Sequence, residues 1–75
     1  MRRYTIVLTP DLENGGYVVD VPALPGCHTQ GDTLEEAIAN AREAIAVWIK
    51  SAEKHGEEVP EELAPPQVVT IDVAA

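Results

Sequence analysis

The sequence predicts an α+β fold in which one long helix covers one face of a small mixed sheet. Two short β-prone stretches flank an Asn-Gly-Gly turn, a helical apolar periodicity follows, and a second alternating stretch lies near the end of the chain. These observations give the order β-β-β-α-β and a four-stranded sheet with the strands in the order 3-2-1-4. The length of 75 residues predicts a single domain, residues 1–75.

Four stretches carry the predicted strands. Residues 3–9 and 16–21 are rich in β-branched and aromatic side chains and flank the turn, whose glycines tolerate positive φ. Residues 27–30 are predicted to form a short third strand and residues 67–73 a fourth. The fourth strand is expected to lie parallel to the first, because a helix connects them by a right-handed crossover. One face of the fourth strand carries Val69, Ile71 and Val73.

Residues 33–55 predict the single helix. Thr33 begins it with a capping box, in which the Thr33 hydroxyl accepts an N–H three residues on and Glu36 reaches back to the Thr33 N–H. Gly56 is a natural helix stop. The acidic, proline-containing stretch 57–66 is predicted to be a solvated linker, because proline cannot continue a helix. The apolar stripe of the helix consists of Leu34, Ile38, Ala41, Ile45, Trp48, Ile49 and Ala52.

Charge and composition limit the function classes. A formal net charge of −8 disfavours direct nucleic-acid binding by this chain alone and favours a basic protein partner, although the same charge also serves solubility. The single cysteine and the lack of a signal-peptide or membrane-spanning pattern predict a cytoplasmic protein. So small a core, under a half-covered sheet, predicts a homo-oligomer, either a dimer or a tetramer.

The stretch VPALPGCHTQGDT, residues 21–33, invites two interpretations: a catalytic loop or a turn between strand and helix. Adjacent strand residues point to opposite faces, so Cys27 and His28 are poorly placed to act as nucleophile and base, and Cys27 is expected to be a buried small hydrophobe. The sequence contains no paired metal-ligand spacing and no phosphate-binding glycine loop. We therefore predict no catalytic residues, no cofactor and no metal, with an enzyme that uses Cys27 and His28 as the competing hypothesis.

The order of these motifs resembles the HicB-like antitoxin family over nearly the whole chain. The strongest signature is the loop, with matches at Pro22, Leu24, Pro25, Gly26, Cys27, Gly31, Asp32 and Thr33. Further matches are Gly16, Tyr17, Val21, Gln30, Glu35, Glu36, Ala37, Asn40, Glu43, Ala44 and Ile45.

The resemblance implies a partial RNase H-like sheet without the nuclease carboxylates. It also implies a type II toxin–antitoxin role, in which the chain neutralises a small basic ribonuclease toxin, HicA, by occluding it. Family members assemble as dimers or higher oligomers. Many carry a C-terminal DNA-binding segment, which we expect this short form to lack. An orphan homo-oligomeric module with a structural or ligand-binding role is the alternative.

Two surfaces are candidates for partner or oligomer contacts. The uncovered face of the sheet carries Val7 and Val18, and a second copy or another protein would bury them. The acidic stretch would suit a basic toxin, and its other interpretation is a solvated linker. The acidic candidates are Glu57, Glu58, Glu61 and Glu62.

Overall fold

A computed structural model describes residues 2–75 and confirms the α+β class. The described elements, in chain order, are strand β1 (Val7–Pro10), strand β2 (Tyr17–Asp20), strand β3 (His28–Gly31) and helix α1 (Leu34–Lys54).

The strands form one sheet in the order β1-β2-β3, and both pairings are antiparallel. Leu8 lies opposite Val19, and Val19 lies opposite Thr29. Strand β1 begins at Val7 rather than at residue 3, because the same register would place Pro22, which has no N–H to donate, opposite Thr5. The sheet is therefore shorter than the sequence predicts.

The turn between β1 and β2 is held by Asp11. Its carboxylate accepts the backbone N–H groups of Glu13 and Asn14, each at 3.1 Å, and these hydrogen bonds lower the pKa of Asp11. Gly15 and Gly16 then reverse the chain with φ values of +79° and +74°. Glycine suits both positions because it has no Cβ atom, whereas L residues rarely adopt positive φ.

Helix α1 has a side-chain cap at its start and a glycine stop at its end. The Thr33 hydroxyl accepts the Glu36 N–H at 3.1 Å, as the capping box predicts. The Glu36 carboxylate accepts the Asp32 N–H at 3.3 Å, whereas the prediction had it accept the Thr33 N–H. Gly56 adopts φ +69°, and its N–H donates to the carbonyl of Glu53, which ends the helix in a Schellman-type motif.

The core lies between the sheet and helix α1. One cluster joins Val19 of β2 to Ala37 and Ala41 of the helix. Gly31 lets the helix approach β3 closely, because a Cβ atom there would lie 2.6 Å from the Ala37 Cα. The small residues on the buried helix face and in β3 therefore set the distance between helix and sheet. The second cluster consists of Val21, Leu24 and Cys27.

The predicted fourth strand is absent from this protomer, so the four-stranded mixed sheet and its order 3-2-1-4 were wrong for the single chain. Residues 67–73 have no ladder partner among residues 2–75 and are exposed throughout. The chain is anchored beside the start of β1 through residues 60 and 62, and Pro65 and Pro66 follow. Two prolines favour an extended path and donate no N–H, so the last residues leave the protomer without pairing.

Candidate interaction surfaces

The loop of residues 21–33 is a compact, internally bonded turn. The Leu24 N–H donates to the Val21 carbonyl at 3.1 Å, and the Cys27 N–H donates to the Leu24 carbonyl at 3.0 Å. The Val21 N–H in turn donates to the Cys27 carbonyl at 3.1 Å, and Gly26 supplies the positive φ of +78°. Leu24 is fully buried. The loop's backbone hydrogen bonds and its largest buried side chain therefore stabilise the fold and do not form a binding or catalytic site.

Cys27 and His28 occupy different environments. Cys27 is buried in the second core cluster, and burial raises the pKa of its thiol. His28 is exposed on β3. A nucleophilic cysteine needs a lowered thiol pKa and a base in contact with the sulfur, and this thiol is instead kept in its protonated, weakly nucleophilic form.

Two helix side chains fasten α1 to the rest of the molecule. The Trp48 indole N–H donates to the Pro25 carbonyl at 3.0 Å, and the Asn40 amide donates to the Gln30 carbonyl at 2.8 Å. The apolar periodicity had assigned Trp48 to packing alone. An indole N–H in a helix stripe is the signal that could have indicated a polar partner, because a tryptophan near the core usually finds one.

A shallow groove of about 660 Å³ runs between β3 and helix α1. Cys27, Thr29 and the Trp48 ring line it, and Val47 forms an exposed apolar wall. Glu43 places a carboxylate at the same groove. The groove lies beside a strand with no partner on its outer side among residues 2–75. It can accept an extended or apolar segment, and it offers no arrangement for covalent chemistry.

The uncovered face of the sheet carries both apolar candidates. Val18 is 37% exposed and lies opposite Thr9, while Val7 is half-buried and lies opposite Asp20. The structure therefore brings Val7 and Val18 onto one small mixed patch of neighbouring strands. Polar neighbours surround this patch, so it is suited to a contact and not to a cavity.

The acidic stretch divides into two parts. Glu57, Glu58 and Glu61 are exposed. Glu62 is half-buried, and its carboxylate accepts the Thr5 backbone N–H at 2.7 Å and the Thr5 hydroxyl at 2.6 Å. Nearby, the Tyr4 hydroxyl donates to the carbonyl of residue 60 at 2.6 Å. The structure thus brings three candidate acids to the surface and uses the fourth to attach the stretch to the sheet.

Sequence reasoning missed this attachment. Glu62 has no local feature that separates it from the other acids of the stretch, and Thr5 lies 57 positions away in the chain. Contacts at that separation leave no periodic signal. Besides Glu62, Val59 and Pro60 are half-buried in this stretch, and a valine among polar residues is a weak indicator of such an attachment.

Two further features of the described residues bear on the kind of site. No group of three or more His, Cys, Asp or Glu side chains within residues 2–75 is arranged to hold a metal ion. Helix α1 is not apolar enough to cross a membrane.

The geometry defines a small α+β domain that presents grooves, an open sheet face and acidic side chains for contact with other molecules. The model of the HicB-like antitoxin of bacterial toxin–antitoxin systems matches residues 4–72. The chain belongs to the HicB-like antitoxin family, as the loop signature predicts.

Relatives in sequence and in structure agree with this assignment. A UPF0150 protein of Thermoplasma acidophilum is 53% identical over 62 residues, which cover 83% of this chain and 88% of that protein. The antitoxin HicB 1 of Photorhabdus laumondii is 40% identical over 58 residues, which cover 77% of this chain and 37% of that longer protein. The crystal structure of the N-terminal domain of the Burkholderia pseudomallei antitoxin HicB superposes with a TM-score of 0.69 at 29% identity, covering 93% and 98% of the two chains.

Proposed function

We propose that this chain is an antitoxin that neutralises a small, basic ribonuclease toxin of the HicA type by occlusion, in a type II toxin–antitoxin system of the cytoplasm. Membership of the HicB-like antitoxin family supports a toxin partner in general. The formal net charge of −8 supports a basic partner, because complementary charge speeds encounter and disfavours acidic competitors. We further propose that the chain acts by binding and is not itself an enzyme.

The observation that carries the proposal is the attachment of the acidic stretch 57–66 to the residues that precede strand β1. Glu57, Glu58 and Glu61 are exposed, while Glu62 and the backbone of residue 60 are bonded to the sheet. A stretch that is already attached loses less conformational freedom when a partner binds than a free linker would lose. These three exposed acids form the proposed toxin-facing surface.

We also propose that the chain self-associates as a dimer or a tetramer. Val18 is exposed, and the outer edges of β1 and β3 have no partner strand among residues 2–75. Both features support self-association, since a second copy would cover them. The same observations favour the second candidate function, an orphan homo-oligomeric module with a structural or ligand-binding role and no toxin.

An RNA-cleavage assay separates these two functions. Where the adjacent gene encodes a short basic protein, the chain is co-expressed with that protein, and the purified pair is tested for stoichiometric binding and for loss of the neighbour's cleavage of RNA. We expect equimolar chain to abolish cleavage. Undiminished cleavage at a severalfold excess of the chain would overturn the antitoxin proposal and leave the orphan module.

Charge reversal tests the proposed surface. The double variant Glu57→Lys with Glu61→Lys should slow association with the toxin by about tenfold or more at low salt. Glu13→Lys with Glu35→Lys is the matched control, because both residues are exposed and the change in net charge is the same. Equal slowing by the two double variants would contradict the placement of the surface.

A further inference from the structure

The last residues of the chain form an apolar arm without a cover. Residues 67–73, called the arm, leave the protomer after Pro65 and Pro66. Their four aliphatic side chains are 72–80% exposed, although the sequence has the alternation of a half-buried strand. Val69, Ile71 and Val73 share one face of that alternation. Solvent exposure of such a segment invites pairing with another chain.

A groove beside strand β1 has apolar side chains that could cover the aliphatic face of the arm. It has a volume of about 300 Å³ and lies between the chain leading into β1 and helix α1. Tyr4, Ile6, Ile38 and Ile45 contribute its apolar lining, and all four side chains are half-buried. Two exposed arginines, Arg2 and Arg42, line the same groove. Strand β1 forms the edge of the sheet beside it, with no partner on its outer side among residues 2–75.

The segment before the arm is attached near the outer edge of β1, and the arm itself points away from the protomer. The carbonyl of residue 60 and the carboxylate of Glu62 are bound by Tyr4 and Thr5, so the linker is fixed at the start of β1. Pro65 and Pro66 then favour an extended exit. Because the arm leaves at the edge that lacks a strand, a two-fold axis close to this edge would bring two arms and two grooves together.

We propose that two copies of this chain exchange their arms, so that residues 68–73 of each copy add a strand to the outer edge of β1 in the other. Val69, Ile71 and Val73 then pack into the groove against Ile6 and Ile38. The added strand satisfies backbone groups at the β1 edge and buries the arm's exposed aliphatic face in a single contact. This inference specifies the interface of the self-association proposed above and does not depend on a toxin.

Light scattering on the full chain and two arm variants tests the proposal. Wild type should have at least the mass of a dimer at micromolar concentration. Ile71→Lys places a positive charge in a groove that is lined by Arg2 and Arg42, and it should raise the dissociation constant roughly 100-fold or more. Thr70→Lys is the matched control, since it adds the same charge on the opposite face of the arm, and it should retain the mass. Both positions are exposed in the protomer, so circular dichroism should be unchanged.

A mixing experiment distinguishes exchange between copies from closure of an arm on its own groove. Ile38→Glu, with its fold verified by circular dichroism, blocks the groove and leaves the arm intact. Ile71→Lys blocks the arm and leaves the groove intact. Each variant alone should be monomeric, whereas the mixture should contain a heterodimer held by one intact arm in one intact groove.

Three results would overturn arm exchange. One is an Ile71→Lys variant with the mass of wild type, and another is a Thr70→Lys variant that dissociates as fully as Ile71→Lys. The third is a mixture that remains monomeric. A monomeric wild type would overturn both the exchange and the self-association, and toxin neutralisation is measured separately by RNA cleavage. The outcomes for the two proposals are therefore distinguishable.

Discussion

Residues 17–54 and residues 67–73 are both rich in aliphatic side chains, but the protomer buries them to very different degrees. Val19, Ala37 and Ala41 are enclosed between β2 and helix α1, and Leu24 has no exposed surface. The arm keeps its aliphatic side chains in solvent. The difference shows that an apolar pattern specifies which face of a segment seeks burial, while the rest of the chain decides whether a partner is within reach.

A substitution that removes a buried core side chain should change the free energy of unfolding most, and the same kind of substitution in the arm should change it little. Leu24→Ala is expected to lower the free energy of unfolding by about 3 kcal/mol, because it deletes a fully buried side chain and leaves a cavity. Val68→Ala in the arm is the control, with an expected change under about 0.5 kcal/mol. Urea denaturation followed by circular dichroism measures both. Similar losses for the two variants would remove the distinction between core and arm.

The close approach of Gly31 in β3 to Ala37 in helix α1 gives the second-largest expected change in the free energy of unfolding. Gly31→Ala should destabilise the fold by about 2 kcal/mol, because the new Cβ meets the backbone of Ala37 and forces α1 away from β3. Gly26→Ala separates crowding from backbone strain, since Gly26 has positive φ but open space around its Cα. The control should lose only about 1 kcal/mol. A larger loss at Gly26 than at Gly31 would contradict the packing explanation.

The helix cap contributes less. Thr33→Ala should cost about 1 kcal/mol, because the Glu36 N–H loses its acceptor at the first turn of α1. Thr33→Ser keeps a hydroxyl at the same position and should retain most of the stability. Urea denaturation of the three proteins measures this difference, with the transition midpoints compared at a common dependence of the unfolding free energy on urea. An unchanged midpoint for Thr33→Ala would show that the cap is dispensable.

The smallest effect concerns the buried thiol. Burial raises the pKa of Cys27 above its ordinary value of 9.0, so the folded state favours the neutral thiol. The resulting stability is complete below that ordinary value and is lost as the pH rises through the folded pKa. Wild type should therefore lose more stability between pH 8 and pH 10 than Cys27→Ala, which lacks the titrating group. Alkylation of Cys27 should also be about tenfold slower in the folded chain than in urea, because only 6% of the residue's surface is exposed in the fold.

Local signals predicted the centre of the molecule well. The Asn-Gly-Gly turn, the capping threonine and the helical periodicity each depend on neighbours within a few residues, and the helix lies inside the predicted range 33–55. Strand β1 was shortened by Pro22, which the sequence shows but which matters only once the pairing register is known.

Long-range contacts explain what the sequence did not predict. Alternation in residues 67–73 indicates a strand, yet it carries no information about which edge, or which copy of the chain, receives that strand. The bonds from Thr5 to Glu62 join residues 57 positions apart, and a single glutamate among several leaves no pattern. The candidate surfaces could be predicted from charge and apolar pattern. Only the structure shows which acid is bonded to Thr5 and which acids are exposed.

The bond from Trp48 to Pro25 has a practical consequence, because Trp48 is the only tryptophan in the chain. Its indole joins the signature loop to helix α1, so the tryptophan emission comes from one defined junction. Separation of the helix from the loop would break the bond and expose the ring to water, which shifts indole fluorescence to longer wavelength. The molecule thus contains an intrinsic optical probe with which partner binding at the β3 groove can be followed without a label.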